Sequence, residues 1–288
     1  MKTPKMHSRE LGLVLAQQLL GVEDLHYGLW DADLELKLAN LAAAQQRYND
    51  MLIAQLPKSD REVRVLDIGC GTGHLLRQLL DRGYRADGVI PARDLADAVR
   101  RRLADRSGYQ ARIFECCFED LPAEICRHYY DVALFSESFQ YIPLAASLPK
   151  LQEILKPGGL LVISDFFKTD ALGDGASGDR SFGGGHPLAE FHASMQQTPF
   201  VPVKDEDITR RVSPNMELVN DLLMRRMKPA ALTLRRYLSS RYPLLMRLGL
   251  KLLHRKIDKL NYKYFSGHRS KEVFERYKTY RLLVYRLP

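Results

Sequence analysis

The stretch VRVLDIGCGTGH, residues 63–74, decides how this chain folds. Its first half, which ends at Ile68, is a short apolar run of the kind that forms a strand buried on both faces. Three glycines follow at a spacing of two, Gly69, Gly71 and Gly73, and a helical pattern of leucines begins directly after them. This order predicts a strand, a tight turn and a helix, the opening unit of an open α/β sheet.

The glycines indicate a turn against which a ligand lies, because a residue without Cβ lets the backbone turn sharply and approach a bound molecule closely. Their spacing differs from that of two common turns. A dinucleotide-binding turn has its third glycine one residue later, and a phosphate-binding loop needs a Lys-Ser/Thr pair where His74 and Leu75 stand. What remains is an acid, Asp67, followed by GxGxG.

The pattern that starts at Asp67 resembles the class I S-adenosylmethionine-dependent methyltransferases. The resemblance implies that the glycine turn passes beneath the methionine part of S-adenosyl-L-methionine and that Asp67 holds its ammonium group. On this stretch alone, a nucleotide-binding turn of another type is the alternative. The run LKPGGLLVISDF, residues 155–166, resembles the fifth strand of the same family and the turn before it, in the expected order.

Composition is that of a globular protein, with 288 residues, 45% hydrophobic and 27% charged. No run of 18 apolar residues occurs, so we expect no transmembrane helix, and residues 11–22 are interpreted as an amphipathic helix rather than a signal peptide. The four cysteines form neither a disulfide framework nor a CxxC pair, so we expect a reducing compartment and no metal site. The expected location is cytoplasmic, with a peripheral position at a membrane surface as the alternative.

Charge is distributed unevenly along the chain. Residues 228–288 carry 16 Lys/Arg against three acids, a net of +13, so the first 227 residues sum to −5 of the total of +8. Residues 242–260 combine basic and apolar positions at helical spacing, which suits a membrane surface, an acidic partner or a second subunit in a homodimer. The commoner arrangement packs the apolar face on the core and leaves the basic residues in water, and it is the expectation here.

Strands and helices alternate from residue 61 onward, as a doubly wound sheet requires. The predicted strands after the first are residues 86–90, 111–115, 131–135, 160–164, 200–203 and 280–285. We expect the last to pair antiparallel at the sheet edge, and residues 205–209 to form a turn. The fold class predicted is α/β, a seven-stranded Rossmann-like methyltransferase sheet. Its predicted domains are an N-terminal helical lid (1–60), the cofactor-binding core (61–213 plus 279–288) and a basic helical cap inserted before the last strand (214–278).

An aromatic cluster, LHYGLW at residues 25–30, precedes the first core strand. It resembles the small-molecule branch of the family, the tocopherol-type, sarcosine/dimethylglycine-type and sugar O-methyltransferases, in which such a segment lies over the cofactor. Tyr27 and Trp30 would then offer a cation–π contact to the sulfonium. A plain hydrophobic anchor is the alternative for Trp30.

Two positions depart from the family pattern for the adenosine half of the cofactor. Ile90 stands where most relatives place an acid for the ribose, with Asp87 and Asp94 as the nearest substitutes, and Cys117 stands where an acid for adenine is common. The cofactor-binding residues expected from the resemblance are Asp67, Gly69, Cys70, Gly71, Gly73, Ile90, Cys117, Phe118, Ser136 and Tyr27.

The sequence FSESFQYIP, residues 135–143, follows the fourth predicted strand. It lacks the Asn-Pro-Pro-aromatic motif of enzymes that methylate bases, so a nucleic-acid substrate is disfavoured. It also lacks the histidine that relatives acting on hydroxyl groups carry, which leaves Asp165, Tyr141 and Glu137 as the catalytic candidates. His26, His186 and His192 are outside candidates from other segments.

Methyl transfer from a sulfonium depends mainly on alignment and on exclusion of water, so a lid is expected. The candidates are the aromatic N-terminus, the glycine-rich stretch 168–185 and the cap. The predicted function is S-adenosylmethionine-dependent methylation of an apolar, anionic or lipid-like small molecule of the natural-product type. Two alternatives stay open: a methyltransferase-fold protein that binds a ligand or partner without catalysis, and an RNA or membrane-peripheral methyltransferase.

Overall fold

The computed structural model describes residues 21–58, 62–179 and 181–288. Within these ranges seven strands form one sheet in the order β3-β2-β1-β4-β5-β7-β6. The strands are β1 Arg64–Ile68, β2 Arg85–Val89, β3 Ile113–Phe114, β4 Tyr130–Ser136, β5 Leu155–Lys168, β6 Val201–Asp207 and β7 Lys278–Arg286. The central position of β1, between β2 and β4 and parallel to both, agrees with its reading as a doubly buried strand.

Helices cover both faces of the sheet and form the region before β7. They are α1 Leu41–Ile53, α2 His74–Asp81, α3 Arg93–Leu103, α4 Ala123–Cys126, α5 Leu144–Ile154, α6 Leu188–Gln196, α7 Thr209–Val212, α8 Pro214–Asp221, α9 Lys228–Arg241, α10 Pro243–Leu260 and α11 Lys271–Tyr277. Two π-helical turns, Leu222–Met227 and Asn261–Phe265, flank α9 and α10. Successive residues of β1 enter opposite cores, since Val65 belongs to one buried cluster and Leu66 to the other.

The last strand was expected at the sheet edge, and this prediction was wrong. β7 pairs antiparallel with β5 on one side and with β6 on the other, so β6 forms the edge. Burial explains the order, because β7 is buried along nearly its whole length whereas β6 is largely exposed. The turn expected at residues 205–209 is also corrected, since Asp205 still belongs to β6 and pairs with Leu283, and its carboxylate binds the guanidinium of Arg281.

The segment before α1 is an irregular strap, residues 22–30, that lies against that helix. Leu29 donates its backbone N–H to the carbonyl of Ala44 at 2.8 Å, and Trp30 donates to the carbonyl of Arg211 at 2.8 Å. The Trp30 ring is buried against Val22, Leu41 and Ala44. Trp30 is therefore a hydrophobic anchor of the strap. Residues 1–20 of the predicted lid lie outside the described residues, and the domain boundaries stay predictions.

The cap differs from expectation in how its apolar residues are placed. Leu244, Leu245 and Leu252 on α10 are 77%, 70% and 72% exposed. Met246 and Ile257 are half-buried, so one side of α10 is packed and the leucines are on the other. The expectation that the apolar face of residues 242–260 packs on the core was wrong for these leucines.

A buried ion pair joins β2 to its neighbours. The carboxylate of Asp87, which is fully buried, accepts hydrogen bonds from Tyr109 Oη at 2.9 Å, Tyr130 Oη at 2.9 Å and Arg112 Nη2 at 2.7 Å. The backbone N–H of Arg112 donates to the same carboxylate at 2.8 Å. Asp87 therefore serves the sheet, and it is not available as a substitute for the ribose acid.

We expect Arg112→Met to lower the free energy of unfolding by about 3 kcal/mol, because it keeps the aliphatic stem but leaves the Asp87 carboxylate buried without its cation. Urea unfolding measures the change. The control Tyr109→Phe removes one hydrogen bond from the same carboxylate and should cost about 1 kcal/mol. Equal losses in the two variants would show that Arg112 does not compensate the buried charge.

Candidate functional site

A cavity of about 730 Å³ lies beyond the carboxyl ends of β1, β2 and β4. Its walls come from four segments that are distant in sequence: residues 24–26 of the strap, the glycine turn, residues 90–92 after β2 and residues 136–138 after β4. Open parallel sheets bind their ligands at this end, where the strand order reverses. The volume is in the range of small-molecule and cofactor sites.

Each glycine of the turn meets a different constraint. A Cβ on Gly69 would lie 2.4 Å from Cβ of Ser138, and one on Gly73 would lie 2.9 Å from Cγ1 of Val99 on α3. A Cβ on Gly71 would project into open space, where the nearest atom is the Gly69 carbonyl oxygen at 3.9 Å. All three residues have positive φ angles. Gly69 and Gly73 therefore allow close packing, and Gly71 leaves room on the cavity side.

Asp67, the last residue but one of β1, has a carboxylate without a partner. It is 1% exposed, and within the described part of the chain neither Oδ1 nor Oδ2 has a hydrogen-bond partner. Burial, with a smaller contribution from the negative charge of Asp24, raises the pKa of Asp67 to about 7 against a partial opposing effect of His26. A buried carboxyl group is costly unless something pairs with it, and Asp67 lines the cavity. The residues therefore fit a ligand that brings a cation to this end, as the ammonium of S-adenosyl-L-methionine does.

The other end of the cavity is apolar. Ile90 and Leu95 line it beside the turn that follows β2, and Cys70 lines it from the glycine turn. Burial raises the pKa of the Cys70 thiol well above its usual value, so the thiol is uncharged. Ser136, the last residue of β4, places its buried hydroxyl at the same cavity.

The structure brings together most of the residues predicted to bind the cofactor. Those that line the cavity are Asp67, Gly69, Cys70, Gly71, Ile90 and Ser136. Those that do not line it are Gly73, Tyr27, Cys117 and Phe118. Cys117 is exposed, and the Phe118 ring packs on Phe135 with centroids 5.7 Å apart. The role of all ten residues in cofactor binding stays a prediction.

The strap contributes a polar cluster centred on Asp24, a residue that the sequence analysis did not single out. Oδ2 of Asp24 lies 2.7 Å from Nδ1 of His74 and accepts a hydrogen bond from Asn49 Nδ2 at 3.0 Å, and Oδ1 lies 3.5 Å from Nε2 of His26. Burial raises the pKa of Asp24, but His26 and His74 outweigh it and hold this pKa well below its usual range. Burial likewise lowers the pKa of His26, but Asp24 and Glu137 outweigh it and raise this pKa. No local sequence pattern predicts these contacts, because Asn49 lies on α1 and His74 lies on α2.

Glu137 follows β4 in a backbone conformation that is rare for a residue with a side chain, with φ of 54°. Its Oε1 accepts hydrogen bonds from the backbone N–H of Tyr27 at 2.8 Å and from Tyr280 Oη at 2.8 Å. Tyr280 Oη lies 2.9 Å from Tyr48 Oη. Burial raises the pKa of Glu137, partly offset by the charge of His26. Glu137 lines the cavity, so a proton-accepting carboxylate is held at a fixed position beside the ligand space.

Asp165, the third catalytic candidate, does not line the cavity. Its carboxylate accepts hydrogen bonds from the backbone N–H of Gln140 at 2.9 Å and from Gln140 Nε2 at 3.0 Å. Burial raises the pKa of Asp165 to about 8 despite these bonds. Asp165 thus supports the turn Phe139–Tyr141, and Tyr141 lines the cavity with Glu137.

The three outside histidines have different surroundings. His26 lines the cavity and stacks on Tyr48 with ring centroids 4.4 Å apart. Nε2 of His186 lies 3.3 Å from the carbonyl oxygen of Phe139, and His192 lies 3.7 Å from Asp205 at the sheet edge. Of the three, His26 is the one placed to act on a ligand.

We expect Asp67→Asn to weaken the binding of S-adenosyl-L-methionine by about tenfold or more, because an amide offers no charge to the ammonium. Isothermal titration calorimetry measures the dissociation constant. Asp170→Asn is the matched control, since Asp170 is exposed and does not line the cavity. Unchanged affinity of Asp67→Asn would place the ammonium elsewhere.

The same variant has a pH signature in the protein without cofactor. Because the pKa of Asp67 rises from 3.8 to about 7 on folding, stability due to this group is present below pH 3.8 and is lost as the pH rises to about 7. We therefore expect the natural chain to lose stability relative to Asp67→Asn as the pH rises from 3.8 to about 7, because the amide of the variant does not ionise. Urea unfolding at several pH values measures it, and a difference independent of pH would contradict the raised pKa.

Sequence comparison identifies the family. The methyltransferase domain family matches residues 41–200. The chain is similar to a sterol 4-C-methyltransferase of Caenorhabditis elegans, with 31% identity over 120 residues, 41% of this chain and 35% of that protein. It is also similar to a malonyl-[acyl-carrier protein] O-methyltransferase of Acetivibrio thermocellus, with 32% identity over 127 residues, 43% of this chain and 44% of that protein. The chain spans less than half the length of these curated relatives.

Structure comparison agrees with the sequence. The crystal structure of geranyl diphosphate C-methyltransferase from Streptomyces coelicolor, solved with S-adenosyl-L-homocysteine, matches with a TM-score of 0.67 at 18% identity, over 96% of this chain and 92% of that chain. The match confirms the predicted fold class. Together with the glycine turn, the unpaired carboxylate at the end of β1 and the match over residues 41–200, it shows that the chain belongs to the class I S-adenosylmethionine-dependent methyltransferases.

Proposed function

We propose that the protein transfers the methyl group of S-adenosyl-L-methionine to an apolar, lipid-like small molecule, with Glu137 accepting the proton that the acceptor loses. The observation that carries this proposal is a pair of carboxylates on one cavity, of which Asp67 is buried and Glu137 is half-buried. Asp67 is unpaired among the described residues and suits a cationic group, whereas Glu137 is held by Tyr27 and Tyr280. One carboxylate thus serves binding, and the other serves proton transfer.

When bound, the cofactor supplies a methyl group on a sulfonium that needs no further activation. Asp67 would hold its ammonium, the glycine turn its methionine part, and Ile90 with Leu95 its adenosine part. Residues 24–26 of the strap form a further part of the cavity wall. By excluding water and aligning the two reactants, these residues supply most of what an in-line displacement requires.

Glu137 has the properties of a general base for this reaction. Its raised pKa increases its affinity for a proton, and the two hydrogen bonds to Oε1 fix its orientation. No described hydrogen bond ends on Oε2, which leaves that oxygen for the acceptor. His26 beside it stays protonated more readily than usual, because its pKa is raised, and therefore balances the negative charge of Glu137 rather than competing for the proton.

The apolar character of the acceptor is supported by the rings around Glu137. Tyr27, Phe166, Phe274 and Tyr280 form a cluster with centroids 6.2 to 6.5 Å apart, and two of these residues bond to the Glu137 carboxylate. These rings belong to the buried core behind Glu137, so the carboxylate is held against an apolar wall. The names of two similar proteins point the same way, since a sterol and geranyl diphosphate are largely hydrocarbon.

Incubation with radiolabelled S-adenosyl-L-methionine and a panel of sterols, isoprenoid diphosphates and acyl chains tests the proposal. We expect the cofactor to bind and label to enter at least one apolar acceptor. Cofactor binding without transfer to any of them would favour the alternative, a methyltransferase-fold protein that binds a ligand without catalysis. Failure to bind the cofactor would overturn the proposal.

For an accepted substrate, we expect Glu137→Gln to lower kcat by about 10² to 10⁴ while the cofactor dissociation constant changes little, because the amide keeps the hydrogen bonds but cannot take a proton. The acidic limb of the pH–rate profile should lie above pH 4.5, the ordinary pKa of this carboxyl, and disappear in the variant. Glu119→Gln, at an exposed carboxylate, is the matched control. Full activity of Glu137→Gln would assign the base elsewhere.

A further inference from the structure

The hairpin formed by α9 and α10 exposes leucines that the fold does not use. On α10, Leu244, Leu245 and Leu252 lie on one side of the helix, since positions eight residues apart differ by about 80° in direction. Leu232 and Leu234 on α9 are likewise more than half exposed. None of the described residues of α9 is buried. These exposed leucines form a projecting apolar surface of the kind that marks an interaction site.

The side of α10 that does pack is a different one. Met246, Leu250 and Ile257 are half-buried, whereas the leucines named above are open to solvent. The packing of α10 therefore uses a different set of apolar residues from the exposed leucines. Leucines at these positions, rather than polar residues, require another explanation than folding.

Charge narrows the choice of partner. Residues 228–260 contain nine Lys/Arg and one acid, Asp258. On α10 the basic residues Arg247, Lys251, Arg255 and Lys259 are all exposed. Within the described ranges, no carboxylate forms a salt bridge with any basic residue of this hairpin. A surface that combines exposed leucines with unpaired positive charge is complementary to an anionic partner that also accepts hydrocarbon.

We propose that the α9–α10 hairpin binds the surface of an anionic lipid bilayer, with its leucines entering the boundary of the acyl chains and its basic residues meeting the lipid phosphates. Amphipathic helices with basic polar faces bind bilayers in this way. A second copy of the chain is a poorer partner, because two such hairpins would bring like charges together. RNA would meet the basic residues but leave the leucines in water.

The hairpin is joined to the wall of the cavity through hydrogen bonds at its base. It continues from α8, where Asn215 accepts from the backbone N–H of Gly28 at 3.0 Å and donates to the Gly28 carbonyl at 2.6 Å. Gly28 belongs to the strap, whose residues 24–26 line the cavity. Hydrogen bonds between α8 and the strap therefore connect the base of the hairpin to one wall of the cavity. The binding proposal itself does not depend on the reaction, because neither cofactor nor acceptor is needed to test it.

Co-sedimentation of the full chain with unilamellar vesicles tests the proposal. One set contains phosphatidylcholine alone, and the other contains equimolar phosphatidylcholine and phosphatidylglycerol. We expect binding to the anionic vesicles at least about tenfold stronger than to the neutral ones, and weaker binding as NaCl rises, because salt screens the attraction. No binding to anionic vesicles would overturn the proposal, as would equal binding to both sets.

Two pairs of variants separate the contributions. We expect Leu244→Asn with Leu252→Asn, and separately Arg247→Gln with Lys251→Gln, each to weaken binding to anionic vesicles by about tenfold or more. The matched controls are Ile125→Asn with Val203→Asn, which are 50% and 54% exposed, and Arg93→Gln with Arg127→Gln. The basic side chains changed in the variant and in its control are all exposed: Arg247, Lys251, Arg93 and Arg127. Controls that weaken binding as much as the hairpin variants would contradict a specific docking surface.

Three further readouts keep the result interpretable. Thermal unfolding shows whether each variant is folded, and we expect midpoints close to that of the natural chain because the changed side chains are exposed. Analytical ultracentrifugation shows whether the chain is a dimer. A dimer that the leucine substitutions dissociate, in a chain that does not bind vesicles, would assign the surface to a second copy. The third readout is binding of single-stranded RNA. RNA binding that the charge substitutions abolish and the leucine substitutions leave intact, in a chain that does not bind vesicles, would assign the surface to nucleic acid.

Discussion

The structure depends on a carboxylate that is buried without a partner at the centre of the sheet. β1 lies between two parallel strands, and Asp67 near its carboxyl end is 1% exposed with both oxygens unpaired among the described residues. An isolated buried charge opposes folding, and burial accordingly raises the pKa of this carboxyl to about 7. The glycine turn keeps the space beside it open, since Gly71 has no side chain to fill it. The chain thus retains an internal penalty, which the proposed contact with the cofactor's ammonium would relieve.

Carboxylates at the ends of three adjacent strands differ in their partners rather than in their chemistry. Asp67 in β1 has no described partner, and Glu137 after β4 is oriented by Tyr27 and Tyr280. Asp165 in β5 accepts hydrogen bonds from Gln140 and Phe166. All three have raised pKa values because all three are buried. Hydrogen bonding distinguishes the two carboxylates that line the cavity from Asp165, which supports the turn Phe139–Tyr141.

Hydrogen bonds tie the strap to helices α7 and α8. Asn215 on α8 binds both backbone groups of Gly28, and Arg211 accepts from the backbone of Trp30. Gly28 is required at this contact, because a Cβ there would lie 2.5 Å from Cβ of Ala44. The strap residues 24–26, which line the cavity, are therefore held in place next to α8, from which the α9–α10 hairpin continues.

Sequence alone determined the central strands and the glycine turn, because strand burial and glycine spacing are local patterns. The positions of Asp67, Gly71, Ile90 and Glu137 on one cavity followed from their place after parallel strands. Tertiary structure decided the rest. The pairing of Asp24 with His26 and His74, the use of Asp165 to hold a turn, the insertion of β7 beside β5 and the exposure of Leu244 all depend on contacts between distant segments. A pattern within one segment carries no information about which partner occupies a side chain, and that occupancy sets its charge, its burial and its function.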